Sequence, residues 1–125
     1  MSKPKLTVYY YPKCGTCRKA LKWLQENGYE LDLHDLFEQS PDKDTVAEWV
    51  SLSGLPVKKF FNTSGEVYKE LKLKDKLPTL SDEEQIELLA SNGRLVKRPV
   101  VTDGKTATVG FKEEEFSRVW PGAKV

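Results

Sequence analysis

The chain opens on a dense apolar run. Residues Lys5 to Tyr11, KLTVYYY, are β-branched and aromatic and predict a strand, which Pro12 ends. From Gly15 to Gln25 the spacing becomes helical. Ala20, Leu21 and Leu24 fall at i, i+1 and i+4, Trp23 widens the apolar face, and Asn27-Gly28 supplies a stop. In ELDLHDLF, residues 30–37, Leu31 and Leu33 alternate with Asp32 and His34, the period of a second strand. Strand, helix and strand within about 35 residues is the span of a βαβ unit with parallel strands.

The middle of the chain reads as helical. Ser40-Pro41-Asp42 is an entry signal, and Val46, Trp49, Val50 and Ser53 follow at helical spacing until Gly54. Pro56 opens a short turn of helix through Phe60, residues 61–65 form a loop, and Val67, Tyr68 and Leu71 mark another short helix. Lys72 to Lys76, KLKDK, reads as solvated surface. Ser81-Asp82-Glu83-Glu84 is a capping box, with Ile86, Leu88, Leu89 and Ala90 behind it and Asn92-Gly93 as a stop. Val100-Val101-Thr102 then predicts a strand, Asp103-Gly104 a two-residue hairpin turn, and residues 106–109, TATV, its partner. Glu113 to Trp120 closes the chain as a helix with Phe116, Val119 and Trp120 on its apolar side. The expected class is α/β with a mixed sheet: β-α-β, a helical stretch at about 41–92, a β-hairpin and a final helix. With 125 residues, and no repeat or linker long enough to divide it, the chain is expected to be one domain over 1–125, with 41–92 as an insertion.

Charge narrows the partners. Twenty Lys and Arg against nineteen Asp and Glu give a formal net charge of +1, so no global field draws the chain to nucleic acid or to an anionic membrane. No apolar run reaches the ~20 residues of a membrane span, and the N-terminus lacks an apolar segment of signal-peptide length. A cytoplasmic location is expected, where thiols are kept reduced and a C-x-x-C is more often catalytic or regulatory than structural.

Both cysteines lie in YYYPKCGTCRK, residues 9–19. A structural zinc site wants four ligands, and the chain offers Cys14, Cys17 and His34 without a second cysteine pair. Inert core cysteines sit in apolar settings, whereas Lys13, Arg18 and Lys19 crowd this pair. The redox reading has a mechanism. Cys14 follows a strand and precedes a helix, so its sulfur lies near free amides and the positive helix end, and Lys13 and Arg18 add charge. Such a setting lowers a thiol pKa and raises the thiolate fraction. Cys17, one turn along, is the natural resolving thiol. C-x-x-C beside a βαβ pattern is a thioredoxin-like signature. Arg98-Pro99 is the second clue. A proline ahead of a strand fits an edge-strand start, or a cis bond in a tight turn, with Arg98 aiming its fork at whatever anion or sulfur species Cys14 attacks. His34, on the polar side of its strand, reads as surface. The three tyrosines at 9–11 alternate faces, which leaves at least one exposed near the cysteines.

These residues carry a resemblance. P-K-C-G-T-C-R-K-A after a strand, F-N-T-S-G-E-V-Y-K-E-L in the middle, L-V-K-R-P-V-V, and V-G-F-K-E-E-E-F near the end resemble the arsenate reductase-like (ArsC) family that includes the Spx/MgsR regulators. The likeness covers nearly the whole chain and implies a thioredoxin-like fold with a helical insertion. It matches Cys14 to the family's nucleophile, Arg98 to the arginine of its R-P segment and Pro99 to a cis-proline opposite the cysteines. Arsenate reductases of the family carry two further arginines. Asn62 stands at the first position and Lys112 at the second, and lysine is a point charge without the planar fork. The expected site is therefore Cys14, Cys17 and Arg98, with Lys13, Asn62 and Lys112 as further anion contacts, and with no metal or cofactor. The family implies thioredoxin, glutaredoxin or a low-molecular-weight thiol as reductant, and for an Spx-like regulator RNA polymerase as partner. Direct nucleic-acid binding is not expected, since no basic tail or patch is present. A dithiol redox protein, an Spx-type regulator and an arsenate reductase all stand open on the residues alone.

Overall fold

The computed structural model describes residues 5–120. In chain order the elements are β1 (Lys5–Tyr10), α1 (Gly15–Glu26), β2 (Glu30–Asp35), α2 (Lys43–Ser53), α3 (Glu66–Glu70), α4 (Leu73–Lys76), α5 (Asp82–Ser91), β3 (Val100–Thr102), β4 (Ala107–Val109) and α6 (Glu113–Val119). Short 3-10 turns cover Val57–Phe60, Leu77–Thr79 and Gly93–Leu95. Residues 36–97 form one compact unit, and the segments on either side of them form the other. Among the described residues no helix is long and apolar enough to cross a membrane.

The outer segments build the sheet, in the order β2-β1-β3-β4. β1 runs parallel to β2 and antiparallel to β3, and β3 pairs antiparallel with β4, so the sheet is mixed. Register decides the faces. Leu6 pairs with Leu31, and Val8 pairs with Leu33 on one side and Val101 on the other, so these side chains share a face. Leu6, Val8 and Val101 join Ala20 and Leu24 of α1 with Phe116 and Trp120 in one buried cluster. Phe116 is its aromatic centre, edge-on to Trp23 at 5.5 Å and to Phe111 at 4.8 Å. The Trp120 indole N–H donates to Thr108 Oγ1 at 3.1 Å, which satisfies a buried donor. α1 ends as its sequence requires: Asn27 Nδ2 donates to the Trp23 carbonyl at 2.8 Å, and Gly28 takes φ 90°.

Residues 36–97 form the helical unit. Asp42 caps α2 by accepting from the Thr45 amide at 2.8 Å, and Gly54 ends it in the left-handed conformation. α5 begins with the expected capping box, Ser81 accepting from the Glu84 amide while Glu84 accepts from the Ser81 amide. Trp49 of α2 stacks on Phe60 at 6.3 Å, and both are buried. A bridge between Phe61 and Val96 and the bond from the Lys97 amide to the Phe60 carbonyl, 2.8 Å, tie the C-terminal end of the unit to its middle.

Two local expectations are corrected. Thr102 pairs with Ala107 and the Asp103 amide donates to the Thr106 carbonyl at 3.3 Å, so the two-residue turn falls on Gly104-Lys105 rather than on Asp103-Gly104. Asp103 explains the shift, because its carboxylate accepts from both the Lys105 and Thr106 amides at 2.8 Å. Lys72 to Lys76 is not all solvated surface: Leu73 is buried in α4, and Lys72 turns the chain there with φ 54°.

Candidate functional site

β1 ends at Tyr10, and the chain turns through Tyr11, Pro12 and Lys13 before α1 starts at Gly15. Two hydrogen bonds shape the turn. The Cys14 amide donates to the Tyr11 carbonyl, and Arg18 Nε donates to the Pro12 carbonyl, each at 3.1 Å. Cys14 is the N-cap of α1, with extended backbone and its carbonyl accepting the first intrahelical bond from the Arg18 amide at 3.1 Å. Cys17, at the end of the first turn, is fully buried, whereas Cys14 is half-buried. The two are free thiols.

Arg98 arrives just ahead of β3, the strand that pairs with β1. Tyr9 pairs with Val100 in the antiparallel ladder. Carrying that register two residues past the strand end sets Arg98 across from Tyr11. The Arg98–Pro99 bond is cis, Pro99 is buried, and its carbonyl accepts from the Gly110 amide at 2.9 Å. The guanidinium carbon lies 5.8 Å from the centre of the Tyr11 ring, a cation–π distance.

The thiols are driven in opposite directions. Burial pushes the Cys14 pKa up, but the Cys17 amide and thiol, which donate toward the Cys14 sulfur, and the hydrogen bond and charge of Arg98 outweigh it. Cys14 ends below its ordinary value. Cys17 is pushed up to about 12, first by burial and then by its hydrogen bond to Cys14 and the Cys14 charge. The Tyr11 backbone amide and the Arg98 charge oppose that rise without cancelling it. The arrangement favours ionisation of the half-buried Cys14 sulfur and keeps the buried Cys17 sulfur protonated, the division needed by a nucleophile and its resolver.

The remaining candidates fall as follows. Lys13 is exposed, and the cation that acts on Cys14 is Arg98. Lys112 is exposed at the N-cap of α6. Asn62 belongs to the 36–97 unit, where its amide donates to the Leu95 carbonyl at 2.7 Å and its carbonyl accepts from the Gly65 amide at 3.1 Å. His34 lies on the exposed side of β2, stacked on Tyr9 at 5.1 Å and bonded to Asp32 at 3.1 Å. Sequence reasoning did not single out Tyr11. Its signal was present in the tyrosine run, but the strand end that frees Tyr11 from the alternation of β1 had to be located first.

The model of the ArsC family matches residues 9–119. The Bacillus subtilis protein YusI, whose function is uncharacterized, is 56% identical over 92% of this chain and 98% of its own length. The global transcriptional regulator Spx of Enterococcus faecalis is 30% identical over 93% of this chain and 86% of its own. Among solved structures, an ArsC family related protein from Bacteroides fragilis superposes with a TM-score of 0.89 at 53% identity, covering 94% of this chain and 98% of that one. A Streptococcus mutans protein described as a possible arsenate reductase gives 0.79 at 44%, covering 89% and 93%. The βαβ unit, the β3–β4 hairpin and the last helix are the thioredoxin-like arrangement that the sequence implied.

Proposed function

Because the chain belongs to the ArsC family, we propose that it is a thiol–disulfide redox protein in which Cys14 attacks and Cys17 resolves. The observation that carries this is the placement of the two sulfurs: Cys14 is half-buried at the N-cap of α1, where Cys17 and Arg98 favour its ionised form, and Cys17 is buried one turn along, where burial disfavours it. In the first step the Cys14 thiolate attacks one sulfur of a substrate disulfide. A Cys14–substrate disulfide forms, and the other substrate sulfur leaves as a thiolate, which Arg98 stabilises while it carries charge. That step removes the negative charge from Cys14, one of the causes that hold Cys17 high. Cys17 then gives up its proton to the departing thiolate or to water more readily, and its sulfur attacks Cys14. The products are the Cys14–Cys17 disulfide and the second substrate thiol, with two electrons passed from the dithiol to the substrate. Thioredoxin, glutaredoxin or a small thiol returns the pair to the reduced form, which suits a cytoplasmic setting.

A trapping experiment tests the order of attack. Cys17→Ala exposed to glutathione disulfide should accumulate a mixed disulfide on Cys14, whereas the wild type should pass on to the internal bond. Stable glutathione adducts on wild-type Cys14, or labelling of Cys17 in Cys14→Ser at the wild-type rate, would sink the assignment.

A second reading, an Spx-type regulator whose disulfide switches its affinity for RNA polymerase, is favoured by the similarity to Spx along 93% of the chain. Capture of polymerase by one redox form alone, with negligible turnover of disulfides, supports it over the enzyme. Arsenate is the less favoured substrate, because Asn62 and Lys112 stand where the family's arsenate reductases place arginines.

A further inference from the structure

Tyr11 touches each member of the site. Its carbonyl accepts from the Cys14 amide at 3.1 Å, its backbone amide is directed at the Cys17 sulfur, and its ring lies 5.8 Å from the Arg98 guanidinium carbon. The first two contacts belong to the backbone and are kept in Tyr11→Leu and Tyr11→Phe. The third belongs to the ring alone. We infer that the Tyr11 ring is a positioning element that holds the Arg98 guanidinium against the Cys14 sulfur.

Arginine has a long side chain and loses much rotamer freedom when its head is fixed in one place. A guanidinium offers two separate surfaces: its flat face meets an aromatic ring, while its N–H groups point outward in the plane. The ring at Tyr11 can therefore take the face and leave the edge for the Cys14 sulfur, and the hydrogen bond and charge of Arg98 are both among the influences on Cys14. The platform is also well anchored. The Tyr11 main chain is tied to the cysteine motif by the Cys14 bond, and the β1–β3 ladder, with Tyr9 opposite Val100, fixes the backbone from which Arg98 springs. Ring, fork and sulfur are thus held by one turn and one pair of strands. A lysine at position 98 would have the charge without a face to stack or a fork to direct. The inference rests on the thiol–disulfide reading of the site and adds to it a residue that does not touch the reacting atoms.

The test is the pH dependence of Cys14 alkylation by iodoacetamide in the reduced full chain, with the labelled cysteine identified by peptide mapping. Tyr11→Leu should raise the Cys14 pKa by about 0.5–1 pH unit, the shift expected when a partly desolvated cation–π contact is lost. Tyr11→Phe, which keeps the ring, should restore the wild-type value. In an Arg98→Met background, Tyr11→Leu should produce no further shift, because the ring acts through the guanidinium. Circular dichroism checks that each variant is folded, and Tyr11→Met replaces Tyr11→Leu if the latter is not. A folded Tyr11→Leu with the wild-type Cys14 pKa overturns the inference and leaves the redox reading standing. So does an equal shift with and without Arg98. A wild-type Cys14 that titrates at or above 9.0, its ordinary value, overturns both.

Discussion

Cys14 and Cys17 are one helical turn apart and carry opposite protonation preferences. The cause is position. Cys14 caps the helix, half-exposed and within reach of Arg98, while Cys17 faces inward and is fully buried. A pH series should separate them. Alkylation of Cys14 should rise as pH passes upward through a midpoint below 9.0, whereas Cys17 should resist labelling until pH nears about 12. Arg98→Met should move the Cys14 midpoint upward by about one pH unit, since both a charge and a charge-assisted hydrogen bond are removed. An unchanged midpoint in a folded Arg98→Met would take Arg98 out of the site. At this scale the sequence was informative about identity and silent about contact. The C-x-x-C after a strand pointed to Cys14, and basic neighbours were expected to charge the site. The structure gives that role to Arg98, which is distant in sequence, while Arg18 spends its Nε on the Pro12 carbonyl.

Elements were readable where one local rule acted alone. The capping box at Ser81, the Asp42 cap and the glycine stops at 28 and 54 follow from backbone chemistry within a few residues, and each is present. Elements were misread where a side chain or a tertiary contact overrode the local signal. Asp103 accepts from two amides with its carboxylate and so sits beside the turn, which moves one residue along. Leu73 sits among lysines in sequence and is buried only because the chain turns at Lys72. Gly93 is the third case. It follows the C-cap of α5, yet what it needs is space: a Cβ there would land on the Leu36 carbonyl. Gly93→Ala should therefore cost about 2–3 kcal/mol in chemical denaturation, an overpacking penalty against rigid backbone. Ser81→Ala removes one cap and should cost about 1 kcal/mol. If Gly93→Ala proves the milder of the two, the close approach to Leu36 is wrong.

For the whole molecule, the thiols link pH to folding stability. An acid whose folded pKa lies above its unfolded value binds more protons when folded, so stability falls as pH rises between the two values. Cys17 spans 9.0 to about 12 and should weaken the reduced protein across that window. Cys14 works the other way. Its lowered pKa adds stability that is fully present above 9.0 and is lost as pH falls through the folded value. The thiol contribution should thus peak near pH 9, seen as the difference in unfolding free energy between the reduced wild type and Cys14→Ala/Cys17→Ala. A difference that stays flat with pH would mean that neither sulfur is perturbed. The near-neutral total charge gave no hint of this, because the causes are local: hydrogen bonds from Cys17, and a hydrogen bond and charge from Arg98, act on one sulfur.

The central claim is that Cys14 and Cys17 form a reversible disulfide with Cys14 as the attacking sulfur. It is tested most directly by equilibrating the native protein in glutathione buffers of graded redox ratio, quenching with acid, and mapping both cysteines by mass spectrometry. The expected result is one internal Cys14–Cys17 disulfide, lighter than the dithiol by the lost hydrogens, whose fraction follows the glutathione ratio in both directions. Folded protein that keeps both thiols across the series, or that stops at a glutathione adduct on Cys14, would contradict it.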